Sequence, residues 1–203
     1  MRDRRRRWGI VVSIVALAVV AAACGEDEPA GGNGAAAGGN GAAAAEPFGT
    51  ACADVPTSGD GSFESMMTQP VVTAAAANPE LTALAMDLEL AGLTDTLNNA
   101  EDLTVFAPTN DAFAAAAEAD PEGMEAMMAD PTGEFADLLS YHVVEGQIPP
   151  DELAGEHTTL QGATLTVQGS GEDFRVNGMA NVVCGDIHTD NATVYVIDEV
   201  LHP

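Results

Sequence analysis

The sequence contains no lysine. Its whole stock of fixed positive charge is six arginines, five of them at positions 2 to 7 and the sixth at Arg175, against 32 aspartates and glutamates. The formal net charge is -26 over 203 residues. Such a chain repels phosphate backbones and anionic bilayer surfaces, which excludes direct nucleic-acid binding. Cysteine is scarce: three residues with no C-x-x-C pair. The four histidines, His142, His157, His188 and His202, show no paired spacing, so no metal site is expected. No glycine-rich phosphate loop and no calcium-loop spacing occur. Ser170 sits in "GSG" without the strand-turn-helix setting of a nucleophile elbow. Asp198 and Glu199 are adjacent on a strand, so they point to opposite faces and converge on nothing. No catalytic residue and no cofactor are expected. A long apolar run is also missing: Trp8 to Ala23, broken only by Ser13, is short of the roughly 20 residues that span a bilayer.

What the N-terminus does contain is a basic n-region, that short apolar run, and a small-residue cleavage site at Ala21-Ala22-Ala23, followed directly by Cys24. This is the layout of an export signal over residues 1–23. "AAAC" resembles the lipobox of bacterial lipoproteins, in which the cysteine is lipidated, although Ala21 stands where leucine is usual. Plain secretory cleavage after Ala23 is the alternative. Residues 24–50 read as a flexible spacer, because "GGNGAAAGGNGAAAA" cannot bury enough apolar surface to offset its ordering entropy. Without residues 1–23 the chain keeps 31 acids and one arginine. The excess reads as a solvated surface suited to a saline or alkaline exterior, where screening relieves self-repulsion.

With Cys24 set aside, Cys52 and Cys184 form an even pair in an exported chain and read as a disulfide, two free thiols being the alternative. Closing so long a loop stabilises by roughly 4–5 kcal/mol at most in the chain-entropy model.

Residues 51–203 read as one domain. Asn78 can cap a helix beginning at Pro79, with Leu81, Leu84, Ala85 and Leu88 on one face. Phe135, Leu138, Leu139 and His142 form another helical face, and Met124, Met127 and Met128 a packing cluster between them. The second half turns to period two: Leu165 and Val167, then Phe174 and Val176, flank a hairpin loop at "GSGE". Val194 to Ile197 is apolar on both faces, as a central strand requires. Helices first and strands later, with one early strand at Leu103 to Ala107, mean an α+β fold in which that early strand pairs non-locally. In "DLTVFAPTNDAF", Leu103 and Val105 face one side and Thr104 and Phe106 the other. Pro108 ends the strand, Thr109 or Asn110 caps the next helix, and Phe113 anchors it.

"TVFAPTNDAF" resembles the first signature block of the fasciclin domain. "YHVV" at 141–144 is similar to its central Tyr-His motif, and "NATVYVIDEVLHP" at 191–203 to its closing block, with Ile197 and Asp198 in the expected order. The likeness extends back through "NPELTAL" and "DTLN", and the cysteine pair resembles that of secreted bacterial single-domain members. The resemblance implies a wedge of N-terminal helices on a sheet built largely from the C-terminal half, in an extracellular adhesion or ligand-binding module with no defining enzymatic activity.

Tyr141 and His142 are the candidate partner contacts that the resemblance supplies. The alternative is structural: His142 shares a face with core leucines at a helix end, where a buried imidazole can bond backbone groups. Two functions remain. One is a monomeric, tethered adhesion module for an extracellular or cell-envelope protein or polysaccharide, touching the membrane only through its lipid. The other is a carrier or sensor holding a small molecule or lipid in an apolar cleft.

Overall fold

The computed structural model describes residues 46–203. The expected export segment, Cys24 and most of the spacer lie outside them. The folded domain begins before the expected boundary at 51: Phe48 forms an isolated antiparallel bridge with Gly185. Its ring packs against Phe174 and Tyr195, with centroids 5.9 and 6.5 Å away. An aromatic side chain offsets ordering entropy where alanine and glycine cannot. Gly185 has no alternative there, since a Cβ would run into the Phe48 ring.

A 3-10 turn at Thr50–Asp54 carries Cys52, disulfide-bonded to Cys184 across a Cα–Cα distance of 5.0 Å. Four short helices follow: α1 (Phe63–Met66), α2 (Val71–Ala77), α3 (Thr82–Leu90) and α4 (Thr94–Asn99). Strand β1 (Leu103–Pro108) then leads into α5 (Asn110–Ala119), α6 (Pro121–Ala129) and α7 (Glu134–Tyr141). The remainder is β2 (Val143–Glu145), β3 (Gly155–Thr158), β4 (Thr164–Ser170), β5 (Asp173–Val176), β6 (Ala180–His188) and β7 (Ala192–Ile197). At the β4–β5 turn Gly169, at φ 124°, passes so close to the Asp173 carbonyl that no side chain fits.

The strands form one sheet in the order β2-β1-β7-β6-β5-β4-β3. β1 lies parallel to β7 from Leu103↔Ala192 to Pro108↔Ile197, while its other neighbour, β2, is antiparallel. The two edge strands nearly meet, because Val144 bridges Thr159 and the Leu160 N–H donates to the Val143 carbonyl at 2.7 Å. This shields edges that would otherwise recruit other chains.

The alternation read from the sequence divides the interior in two. Leu103, Val105 and Ala107 join Val194, Val196 and the helices in one core. Phe106, Tyr195 and Ile197 join Leu165, Val167, Phe174 and Val176 in the other. Met124 is buried, Met127 packs at the edge of the helical core, and Met128 is exposed.

The helix expected to start at Pro79 starts at Thr82. Asn78 ends α2 instead, and its side chain accepts from the Glu80 N–H at 3.0 Å. The cap for α3 comes from across the fold: Asn110 Oδ1 accepts from the Ala83 N–H at 2.9 Å, and its Nδ2 donates to the Pro79 carbonyl at 2.7 Å. Thr109 caps α5, accepting from the Ala112 N–H at 3.1 Å. Asn191 does the same work at the other end of the β1–β7 ladder. Its Oδ1 accepts from the Val71 N–H at 2.9 Å, and its Nδ2 donates to the carbonyls of Leu97 and Ala100 at 2.7 and 2.8 Å. Asn98 takes the next α2 donor, the Val72 N–H, at 3.0 Å. Helix ends leave such groups unpaired unless a side chain supplies the partner.

Asn191→Ala deletes three hydrogen bonds and strands two helix termini. It is expected to cost about 2–4 kcal/mol in urea unfolding, whereas the exposed Asn99→Ala stays within about 0.5 kcal/mol.

Candidate functional site

The Tyr-His motif sits where α7 ends. Tyr141 is 3% exposed and His142 is 1% exposed. The Tyr141 hydroxyl donates to the Thr164 carbonyl at 3.3 Å and accepts from Asn177 Nδ2 at 2.8 Å. Both nitrogens of His142 are engaged. The Leu201 N–H donates to Nε2 at 2.9 Å, which places the ring proton on Nδ1, and Nδ1 donates to the Leu138 carbonyl at 2.8 Å. The His142 carbonyl accepts from the Phe106 N–H at 2.9 Å. One residue thus ties α7 to β1 and to the C-terminal segment. The two candidate partner contacts are therefore inside the domain.

The other signature residues are also interior or bracing. Thr104 donates to the Gly146 carbonyl at 2.6 Å and accepts from the Ile148 N–H at 2.9 Å, clamping the loop after β2. Phe106 is fully buried and stacks on Tyr195 with centroids 5.9 Å apart. Val105 and Phe113 lie in the helical core. Pro108 is the last residue of β1, paired with Ile197, whose carbonyl accepts from the Thr109 N–H at 3.0 Å. Asp198 receives the Asn181 backbone N–H at 2.7 Å and its Nδ2 at 2.8 Å. Asn181 in turn accepts from Arg175 Nε at 3.1 Å. Asn191-Ala192-Thr193 fits the N-x-S/T glycosylation sequon, but the Asn191 Nδ2 already serves two carbonyls.

Titratable groups are pulled from their ordinary ranges chiefly by burial. Loss of water, opposed by the Leu138 bond and aided by nearby His202, lowers His142 to about 4. Burial alone raises Asp87 to about 6. Asp186, at φ 59° in an irregular stretch of β6, lies 3.3 Å from His188 Nε2. Burial raises its carboxyl, and His188 acts in the opposite sense. Two residues apart on β6, Asp186 and His188 have the spacing that puts strand neighbours on one face.

Two spaces bear on ligand binding, one apolar and one of mixed lining. The enclosed one, between the helices and the sheet, is lined by Met66, Leu81, Leu84, Leu97, Val105 and Ile187 and holds only about 10 Å³. That is room for about one water, far below the 300 Å³ or more of a ligand site. The other is an open groove of about 550 Å³ between α2, α3 and α4. Val72 and Ala85 are buried at its base; Ala76 and Met86 are exposed along it, as are Glu89 and Asp95. The sequence offered no signal for it, because its walls meet only in the folded state. Among the described residues no three histidine, cysteine or carboxylate side chains cluster as metal ligands. None of the described helices is long and apolar enough to cross a membrane.

A fasciclin-domain model matches residues 79–203. The chain is 44% identical over 169 residues to the cell surface glycolipoprotein MPB83 of Mycobacterium bovis, covering 78% of this chain and 73% of that one. It is 42% identical over 163 residues to the immunogenic protein MPB70 of the same species, covering 76% and 81%. Among solved structures it is similar to a FAS1 domain pair from the insect cell adhesion molecule Fasciclin I, at TM-score 0.60 and 16% identity. That likeness covers 68% of this chain and 52% of the other, so the chain spans about half of the pair.

The two shifted groups predict opposite pH responses. His142 is depressed when folded, so its contribution is complete above about 6.5 and is lost as pH falls toward 4. Asp87 is raised when folded, so its contribution is complete below 3.8 and is lost as pH rises through about 6. Asp87→Asn is expected to raise the melting temperature at pH 7.5 and to change it little below pH 3.8. His142→Gln is expected to be less stable at neutral pH but to lose less stability on acidification from 6.5 to 4. Thermal melts across pH 3.5–8 check both.

Proposed function

The chain belongs to the fasciclin-domain family, and from that premise we propose that it is a tethered interaction module of the cell exterior, holding a protein or polysaccharide of the envelope without catalysis. The observation that carries this reading over that of a carrier is the filled interior: the enclosed apolar space amounts to about 10 Å³. The space between helices and sheet admits no small molecule or lipid unless the helices leave the sheet. The engagement of both His142 nitrogens in backbone bonds supports a structural role for the motif, away from proton transfer.

The tether follows from the sequence. Residues 1–23 direct export, lipid on Cys24 anchors the chain, and residues beyond it hold the domain away from the membrane. Two relatives named for the cell surface and for immunogenicity are consistent with that placement. The domain acts as a monomer, since two copies of so acidic a surface repel each other.

The test is capture from cell envelopes with residues 24–203 carrying Cys24→Ser, at low and high salt, with mass spectrometry of proteins, glycans and lipids. A saturable macromolecular partner is the expected result. A stoichiometric small molecule with no macromolecule would replace this reading with the carrier.

A further inference from the structure

We propose that the groove between α2, α3 and α4 is the contact face of this domain, and that its occupant is a cationic amphipathic helical segment of an envelope protein. The proposal rests on the interaction-module reading and names the face and the chemistry of the partner.

The groove is built in advance. Its helices are pinned by asparagine side chains: α3 by Asn110 and α2 and the end of α4 by Asn191, next to the β1–β7 ladder, while Asn98 of α4 ties α2 to α4. A face whose walls are fixed before binding loses little entropy on binding. Its apolar surface is continued by side chains that water covers at present. Met86 is 67% exposed, and Leu90, one turn further along α3, is 50% exposed. A single exposed leucine is ordinary. A methionine and a leucine at i, i+4 beside an open groove with a mixed lining form a stripe that a helix can meet with its own i, i+4 anchors. Met86 is also unbranched and adapts to the shape it meets. The nine residues of α3 span about 13 Å, enough for two to three turns of a partner.

Charge selects the occupant. The exposed acids lining the channel are Glu89 and Asp95, and residues 46–203 hold 28 carboxylates against Arg175. Lysines or arginines flanking an apolar stripe find complementary potential here and are steered toward it. A second copy brings the same sign and is disfavoured. The chain's own "GGNGAAAGGNGAAAA" brings neither positive charge nor a large apolar side chain. A neutral polysaccharide does not use the exposed Met86 and Leu90.

The probe is a 14-residue helical peptide of leucine and lysine, with a leucine and glutamate peptide of the same apolar face as control. Both are titrated into isotopically labelled residues 24–203 carrying Cys24→Ser. The lysine peptide is expected to shift the amide signals of Val72, Met86, Gly92 and Asp95 to saturation, with affinity falling as salt rises. The glutamate peptide is expected to shift nothing. Met86→Lys, at a side chain two-thirds exposed, leaves the fold intact, removes the apolar contact and repels the lysine peptide, and so weakens binding at least tenfold; Leu90→Lys acts in the same direction. Shifts spread evenly over the acidic surface, or a Met86→Lys affinity equal to that of the parent, would overturn the proposal. A dimer broken by Met86→Lys, or groove shifts on deleting residues 24–45, would give the groove to a second copy or to the spacer and would overturn it equally. If envelope capture survives Met86→Lys, the groove is wrong and the interaction module stands. If no macromolecule is captured while the peptide still seats in the groove, the groove stands and the envelope reading falls.

Discussion

The parallel pairing of β1 with β7 is the constraint on which the rest depends. Its partners are almost ninety residues apart in the chain, the longest separation between paired strands of the sheet. Parallel strands form only when the intervening chain crosses over, and here α5 to α7 and five strands fill that crossing. Once the ladder forms, both cores are specified, because the odd and even residues of the two strands face opposite sides of the sheet. Its ends are specified too. Asn191 stands just before β7, next to the start of β1, and Asn110 just after the end of β1. Each reaches outward to satisfy helix termini that no local residue serves. The disulfide adds a second long closure, tying the first turn of the domain to β6.

Much of this was legible in the sequence, and the gaps have physical causes. The strand faces of Leu103 to Phe106 and the two-sided burial of Val194 to Ile197 follow from period two and are observed. The α+β class follows from the order of the elements. The start of α3 was misplaced because its cap, Asn110, lies 27 residues beyond Ala83, while Asn78 offered a plausible local cap. Phe48 was placed in the spacer because its neighbours are spacer-like; only its bridge to Gly185 separates it from them. β3, with one half-buried residue among four, carries no apolar alternation to detect. The groove escaped altogether, since it is a property of three helices at once.

The distribution of roles explains why the signature motifs do not mark a contact surface. Phe106, Tyr141, His142 and Tyr195 are nearly or wholly buried, and their polar atoms are spent on backbone groups. Buried polar groups with every partner in place fix one arrangement of the chain and resist change. The surface is free of that duty. On it stand an excess of carboxylates, a single arginine, and a groove of mixed lining held open by the asparagines behind it. The sheet and the groove helices are thus joined through the side-chain amides of Asn110 and Asn191.

Native-state hydrogen exchange on residues 24–203 tests that joining most directly. First-turn helix amides ordinarily exchange early through fraying. If Asn110 and Asn191 lock the helices to the ladder, the amides of Val71 and Ala83 exchange only with the global unfolding free energy, in step with Val105 and Val194. Exchange of Val71 and Ala83 at a much lower opening free energy, while β1 and β7 stay protected, would contradict the account.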